Sequence, residues 1–146
     1  MSFFSSMNIS SSALTAQRLR MNLLSENLAN AESTKGDHGG PYKRRDVVFS
    51  AVPAGQGFES LLDPGTGADL RKVQVVDIHK DTNPPRLVYN PSHPDADPKT
   101  GYVAMPNVQV MTEMVNMITA TRAFEANTTA MNQAKNMALK ALEIGR

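Results

Sequence analysis

The first 35 residues carry apolar side chains at a seven-residue step, with polar residues between them. The regularly spaced apolar residues of this arm are Met7, Leu14, Met21, Leu24, Leu28 and Ala31. Offsets of three, four and seven residues place side chains on one face of an α-helix. Ser5, Ser6 or Asn8 is suited to cap the start of such a helix, and Gly36 to end it in a left-handed turn. The pattern therefore predicts an amphipathic helix within residues 1–35.

The carboxy-terminal arm repeats the pattern over a longer stretch. Residues 107–144 contain neither proline nor glycine, the two residues that most disfavour a helix. The apolar and small residues of the main stripe are Val110, Met114, Met117, Thr121, Phe124, Met131, Ala134, Ala138, Ala141 and Leu142. Asn107 is suited to cap the start and Gly145 to stop the end. We therefore expect a second long helix within residues 107–146.

A seven-residue step is typical of helices that coil around one another, so the two arms are predicted to pair as a coiled coil. The second arm also has another apolar stripe roughly opposite the first, formed by Met111, Val115, Ile118, Ala126 and Met137. A helix that is apolar on two sides has to be buried on two sides. We expect other subunits to cover this second stripe, and burial by the chain's own middle part is the alternative.

The length of the second arm favours cover by other subunits. A helix of 38 residues would be about 57 Å long at 1.5 Å per residue. A compact globule of this chain length has a diameter of roughly 38 Å. The helix therefore has to project beyond such a globule.

The middle of the chain, residues 36–106, contains all nine prolines and eight of the nine glycines. Short runs rich in Val, Tyr and Phe predict strands at 46–52, 72–78, 86–89 and 101–104. Turn-forming residues separate these runs, among them the stretches at 63–67 and 91–101. The expected fold class is α+β, with two long terminal α-helices and a small β-rich, loop-rich middle module. The expected division of the chain is 1–35, 36–106 and 107–146.

Composition excludes several classes of protein. The formal charge is +1, which gives no electrostatic footprint for nucleic acid or an anionic membrane. The longest unbroken apolar run has four residues, against the roughly 20 needed to cross a bilayer, and no secretory signal peptide is recognised at the start. The chain has no cysteine, hence no disulfide or thiolate site. Leu, Ile, Val and Phe supply 31 of the 146 residues, a small number for a self-sufficient core.

Candidate chemistry is sparse. The three histidines, His38, His79 and His93, are far apart and show no metal-binding spacing. Asp95, Asp97 and Gly101 faintly resemble a calcium loop, but Pro98 intrudes and no glutamate closes it, so a solvated turn is expected. Residues 43–45 form the one basic run and suit a strand edge or a salt bridge. No catalytic, cofactor-binding or metal site is expected, and neither is a small-molecule substrate.

Particular segments resemble a known family. Residues 12–18 followed by 27–34 are similar to the amino-terminal signature of the bacterial flagellar rod and hook proteins. The matching motif residues are Asn27, Leu28, Ala29, Asn30 and Thr34. Further segments are similar to the proximal rod subunits of that family: 40–44, 47–49, 85–91, 94–97, 101–108, 113–115 and 122–127.

The resemblance implies a structural subunit of the basal-body rod, the shaft that carries torque from the MS ring to the hook. It implies polymerisation through the terminal helices, with a coiled-coil seam at Met7, Leu14, Met21, Leu24 and Leu28 and, in the second arm, at Val110, Met114, Met117, Phe124, Met131, Ala138 and Leu142. The implied partners are further copies of the chain, the other proximal rod proteins, the rod–MS-ring junction protein, the distal rod and the flagellar type III export apparatus. The implied location is the rod in the periplasmic space, reached without a cleaved signal peptide. The alternatives are another flagellar rod subunit or, in a different class, a coiled-coil adaptor or export chaperone.

Overall fold

A computed structural model describes residues 3–36, 39–54 and 70–144. This part of the chain contains α1 (Phe3–Ala29), β1 (Arg45–Pro53), β2 (Arg71–Lys80), β3 (Arg86–Tyr89), β4 (Tyr102–Met105) and α2 (Val110–Ile144). Two terminal helices around a small β-rich middle confirm the predicted α+β class. All four predicted strands are present. The turn at 63–67, His38 and the Gly145 stop signal fall outside these residues.

The two helices run antiparallel. Near the end of α1, the Nδ2 atom of Asn27 donates to Glu113 at the start of α2, over 3.1 Å. Six residues earlier in α1, Met21 lies 3.7 Å from Thr121, which is further along α2. The residue numbers therefore rise in α2 as they fall in α1. Coiling of the pair stays a prediction.

Three helix boundaries expected from capping residues are wrong. The expected caps Ser5, Ser6 and Asn8 lie inside α1. The first helix ends at Ala29, and Gly36 is not in the left-handed region of backbone space. The backbone N–H groups of Asn30 and Ala31 donate to the carbonyls of Glu26 and Leu28, over 3.0 and 3.3 Å, which satisfies carbonyls of the last turn without a glycine. The second helix begins at Val110 rather than next to Asn107, whose amide donates to Asp81 instead.

Helix α1 lies between α2 and the hairpin of β1 and β2, since it contacts both. Val73 of β2 donates its backbone N–H to the Oγ atom of Ser12, over 3.2 Å. Within the part of the chain that the structure covers, α2 contacts no strand. One long side of α2 is therefore left without an intrachain neighbour.

Strands β1 and β2 pair antiparallel, from Arg45 opposite Lys80 to Pro53 opposite Arg71. The register shifts between Val48 and Phe49, so Val76 of β2 has no partner. Such a β-bulge bends a strand and re-aims its side chains. The side chain of Val76 is accordingly 64% exposed.

Strands β3 and β4 form a second, four-residue hairpin. Val88 and Val103 are paired on its inner face, where Val103 is fully buried. The residues between the strands fold into a compact loop that Gly101 closes with φ of 72°. A Cβ atom at Gly101 would lie 2.8 Å from the Cε2 atom of Tyr89, so this turn needs glycine for space as well as for backbone angle.

The core is thin, as the small number of large apolar residues suggested. Its buried apolar residues are Ala16, Leu23, Leu24, Ala31, Val103, Val108, Ala120 and Ala134. Several large apolar side chains are instead more than half exposed, among them Met111, Val115, Ile118 and Met137. Much apolar surface therefore stays outside any intrachain core.

Candidate functional site

A cluster of buried polar groups joins the end of α1, the start of α2 and the segment that leads into β1. Asn27 and Glu113 are 0% and 1% exposed, although both are polar. Arg44 donates from Nε to the Oε1 atom of Glu113 over 2.7 Å. Three segments that are distant in sequence meet here, and we call this cluster the polar junction.

The side chain of Asn27 forms four hydrogen bonds in the polar junction. Its Nδ2 atom donates to the carbonyl of Arg45 over 2.8 Å and to Glu113 over 3.1 Å. Its Oδ1 atom accepts from the N–H of Arg45 and from the hydroxyl of Tyr42, each over 2.9 Å. These bonds use the donors and acceptors of the amide fully. They tie α1 to the first residue of β1.

Electrostatics favours the ionised form of Arg44. Burial by itself would lower the pKa of this guanidinium, but the hydrogen bond and charge of Glu113, together with Asp46, outweigh burial and raise the pKa above its ordinary value. Burial also raises the pKa of the Tyr42 hydroxyl, against the opposing charge of Arg45. The basic run at 43–45 thus supplies salt bridges, which is one of the two roles expected for it.

A second polar contact positions the loop between β3 and β4. The carboxylate of Asp95 accepts from the hydroxyl of Thr34 over 2.8 Å and forms a salt bridge with Lys35. Hydrogen bonds from Lys35 and Thr34 hold the pKa of Asp95 below its ordinary value. This contact fastens the second hairpin to the segment that follows α1.

The calcium-like residues of the same loop have protein partners. Asp97 accepts from the N–H of Lys99 and the hydroxyl of Thr100. No group of three His, Asp or Glu side chains suited to a metal ion occurs within residues 3–36, 39–54 and 70–144. In the same residues, neither helix is long and apolar enough to cross a membrane.

The seam residues predicted in α1 differ in burial. Leu24 is buried, Leu14, Met21 and Leu28 are half-buried, and Met7 is 36% exposed. The most buried positions of α1 also include Ala16, Leu23 and Asn27. Ala16 is small and Asn27 is polar, so the spacing of large apolar residues does not identify them as buried. The role of the seam residues in assembly stays a prediction.

The seam residues predicted in α2 divide in the same way. Met117, Phe124, Met131 and Ala138 are half-buried, whereas Val110, Met114 and Leu142 are 42%, 47% and 71% exposed. The fully buried positions of α2 are Glu113, Ala120 and Ala134. They alternate with the half-buried residues in steps of three and four, which is the spacing of a helix–helix seam. A charged residue and two alanines therefore form half of this contact.

The second stripe of α2 faces away from α1. Met111, Val115, Ile118 and Met137 are 75%, 60%, 55% and 66% exposed. Between Val110 and Thr121, the only charged residue is the buried Glu113. We call Met111, Met114, Val115 and Ile118 the outer strip, an apolar surface without exposed charge.

The motif residues at and just after the end of α1 lie around both polar contacts. Asn27 is the centre of the polar junction, and Thr34 holds Asp95. Ala29 is the last residue of α1, and Asn30 completes the last turn. The segment that resembles the rod and hook signature thus coincides with the connection between α1 and the middle module.

Comparison with known proteins agrees with this geometry. The family model described as "Flagella basal body rod protein" matches residues 7–36, which include most of α1. The model described as "Flagellar basal body rod FlgEFG protein C-terminal" matches residues 99–144, which include β4 and α2. Two paired terminal helices that match these models define a flagellar basal-body rod protein.

Curated relatives cover the whole chain and share one name, "Flagellar basal-body rod protein FlgC". The relative from Borreliella burgdorferi is 43% identical over 99% of this chain and 98% of its own length. The relatives from Bacillus subtilis and Yersinia enterocolitica are each 44% identical over the full length of both chains. The chain belongs to the FlgC family of flagellar basal-body rod proteins.

Proposed function

We propose that the chain is a structural subunit of the proximal part of the flagellar rod and polymerises through its terminal helices into a torque-transmitting shaft. One observation carries the proposal: α2 contacts α1 alone among the helices and strands described, and its outer strip is left exposed. Full burial of one large apolar side chain stabilises a complex by about 1.5–3 kcal/mol. An uncharged strip of four such residues suits a contact between subunits.

A shaft under torque needs contacts that run along its axis. At about 1.5 Å per residue, the 35 residues of α2 span about 52 Å. Helices of that length offer a continuous strip to neighbours on several sides. The polar junction then connects each helical pair rigidly to its middle module.

The proposed neighbours are further copies of this chain, other proximal rod subunits, the protein that joins the rod to the MS ring, and the distal rod. The proposed route is the flagellar type III export apparatus, which would deliver the unfolded chain to the periplasmic rod without cleavage of a signal peptide. If the amino-terminal arm carries the export signal, deletion of residues 2–35 retains the chain in the cytoplasm. Release of the truncated chain from an export-competent strain would place the signal elsewhere.

A coiled-coil adaptor or export chaperone is the rival function. A protein that works as a soluble helical pair carries charged side chains on its outer faces. The outer strip has none, which disfavours this rival.

A matched pair of substitutions tests the proposal. Val115 of the outer strip and Val76 of the β-bulge are the same residue type, 60% and 64% exposed. In a strain that lacks the natural subunit, we expect Val115→Asp to abolish swimming and complete basal bodies while export continues. Val76→Asp is expected to leave both intact. Normal swimming and complete basal bodies in the Val115→Asp strain would contradict assembly through this face.

A further inference from the structure

The apolar part of the seam between α1 and α2 repeats itself along the helix. Met117, Phe124 and Met131 recur every seven residues of α2, and Ala120 and Ala134 follow Met117 and Met131 by three residues each. Sliding α2 by seven residues moves it by about 10.5 Å along α1 and exchanges the large apolar residues Met117, Phe124 and Met131 with one another, while Asn127 takes the place of Ala120 or Ala134. Apolar packing alone therefore leaves neighbouring registers close in free energy.

The polar junction does not repeat. Glu113 is buried opposite Asn27 and Arg44 in the observed register. A slide of seven residues would carry the carboxylate away from both partners. It would leave a buried amide without its acceptor and a guanidinium without its main counter-charge, which is far costlier than the loss of one apolar contact.

Another polar residue of the seam lacks this dependence on register. Asn127 lies fourteen residues after Glu113 on the same face of α2 and is half-buried. Its Nδ2 atom donates to the carbonyl of Ala123 in its own helix, over 2.8 Å. Because that bond moves with α2, Asn127 keeps its partner in every register.

We propose that Glu113, Asn27 and Arg44 form a register lock, which selects one heptad alignment of α2 on α1. Asn27 also bonds both backbone groups of Arg45, so the lock relates the helical alignment to the start of β1. Fixing register is the best-attested use of buried polar groups in helical pairs. The lock acts on the alignment of the helices, and the overall stability of the chain can rise or fall when it is removed.

Thiol cross-linking reads the register directly, because the chain has no cysteine. Met21→Cys with Thr121→Cys marks the observed alignment, since these side chains lie 3.7 Å apart. Met21→Cys with Thr128→Cys, and Met21→Cys with Met114→Cys, mark the alignments shifted by one heptad in either direction. The full-length chain is treated with a thiol cross-linking reagent whose span is shorter than the shift of about 10.5 Å that seven residues produce. The mass of the chain then reports how fast each cysteine pair becomes cross-linked.

In the parent chain, the observed pair is expected to react faster than either shifted pair by about tenfold or more, the ratio that corresponds to one charge-assisted hydrogen bond. The double variant Asn27→Leu, Glu113→Leu removes the lock. In this variant Arg44 keeps its salt bridge with Asp46, and its side chain is still partly exposed to solvent. In this variant, a shifted pair is expected to react at a rate comparable to that of the observed pair. Glu113→Gln keeps one of the two acceptor oxygens, so it retains one of the two hydrogen bonds and is expected to give a ratio between those of the parent and the Leu double variant.

The matched control is Asn127→Leu, the same substitution on the same seam, which is expected to leave the ratio unchanged. An unchanged ratio in the Leu double variant would overturn the lock. Equal rates for observed and shifted pairs in the parent chain would also overturn it, because there would be no register to select. A loss of selectivity in Asn127→Leu equal to that in the double variant would assign the effect to seam packing instead. None of these readings depends on rod assembly.

Discussion

The Oε1 atom of Glu113 accepts a hydrogen bond of 2.7 Å from the Nε atom of Arg44, although 69 residues separate them in the chain. Glu113 belongs to the first turn of α2 and is 1% exposed, and Arg44 directly precedes β1. A carboxylate so deeply buried is tolerated because it is paired and hydrogen-bonded. The contact connects the carboxy-terminal helix to the middle module.

Removal of this carboxylate is expected to destabilise the fold strongly. Glu113→Ala leaves the Nε atom of Arg44 and one N–H of the Asn27 amide without their acceptor, and breaking such a buried pair costs about 3–5 kcal/mol. Glu113→Gln keeps one acceptor oxygen for the two donors and is expected to lose less stability than Glu113→Ala. Urea unfolding with an unchanged m-value measures both differences. A Glu113→Ala chain as stable as its parent would show that the pair contributes nothing.

The turn before β4 predicts a selective effect of adding one methyl group. Gly101→Ala places a Cβ atom 2.8 Å from the ring of Tyr89 at a φ of 72°, so we expect a loss of about 1–2 kcal/mol from backbone strain alone. Gly40→Ala is the control, because a Cβ atom there meets nothing within 4 Å and the backbone is not left-handed. Thermal unfolding of the two variants compares them. Equal midpoints would contradict the role assigned to Gly101.

The contact of Asp95 with Thr34 and Lys35 makes part of the stability depend on pH. The folded chain holds the pKa of Asp95 below its ordinary value of 3.8, first through the hydrogen bond from Lys35. The contribution is therefore complete above that ordinary value and disappears as pH falls through the lower pKa of the folded chain. Asp95→Asn is expected to unfold more easily than the parent at neutral pH.

The difference between Asp95→Asn and its parent is expected to shrink below about pH 4, as the parent carboxylate becomes protonated. Glu32→Gln, the same change of charge at an exposed position, serves as the control. Denaturant unfolding at several pH values gives the comparison. A difference that persists unchanged into acid would show that ionisation of Asp95 is not what stabilises the loop.

Phe124 predicts a separation of export from assembly. It is half-buried in the middle of the predicted seam of α2. Phe124→Glu would desolvate an unpaired carboxylate in the contact between the helices, which is unfavourable for assembly. Export is expected to continue, because the unfolded chain passes the export channel with only one added charge. We expect export without a rod and without motility. The control Glu125→Gln changes an exposed neighbouring residue and is expected to have a mild effect. Normal basal bodies in the Phe124→Glu strain would show that Phe124 does not belong to the seam.

Much of the fold follows from local patterns. The absence of proline and glycine after residue 107 and the seven-residue step predicted the long second helix, and Val-rich runs predicted all four strands. Helix ends were less predictable. A glycine at position 36 indicates a stop only if nothing nearer satisfies the last carbonyls, and the backbone N–H groups of Asn30 and Ala31 already do so.

The polar junction could not be predicted from periodicity. Glutamate and asparagine usually lie at the surface of a protein. Only the tertiary structure brings Arg44 and Asn27 close enough to Glu113 for these polar groups to be paired when buried. The family motif indicated that Asn27 matters, but neither the motif nor the helical pattern named its partner 86 residues later. Ala120 was missed for a related reason: close helix packing favours small side chains, whereas the predicted stripe rested mainly on large apolar ones, although it did include Ala134.

A cryo-EM map of purified basal bodies, with this chain traced, shows directly whether the chain is part of the rod and which of its faces contact other subunits. We expect α1 and α2 side by side along the rod axis, with the polar junction intact and Met111, Val115 and Ile118 covered by a neighbouring subunit. A map in which the chain is missing from the rod, or in which these three side chains face solvent, would contradict it.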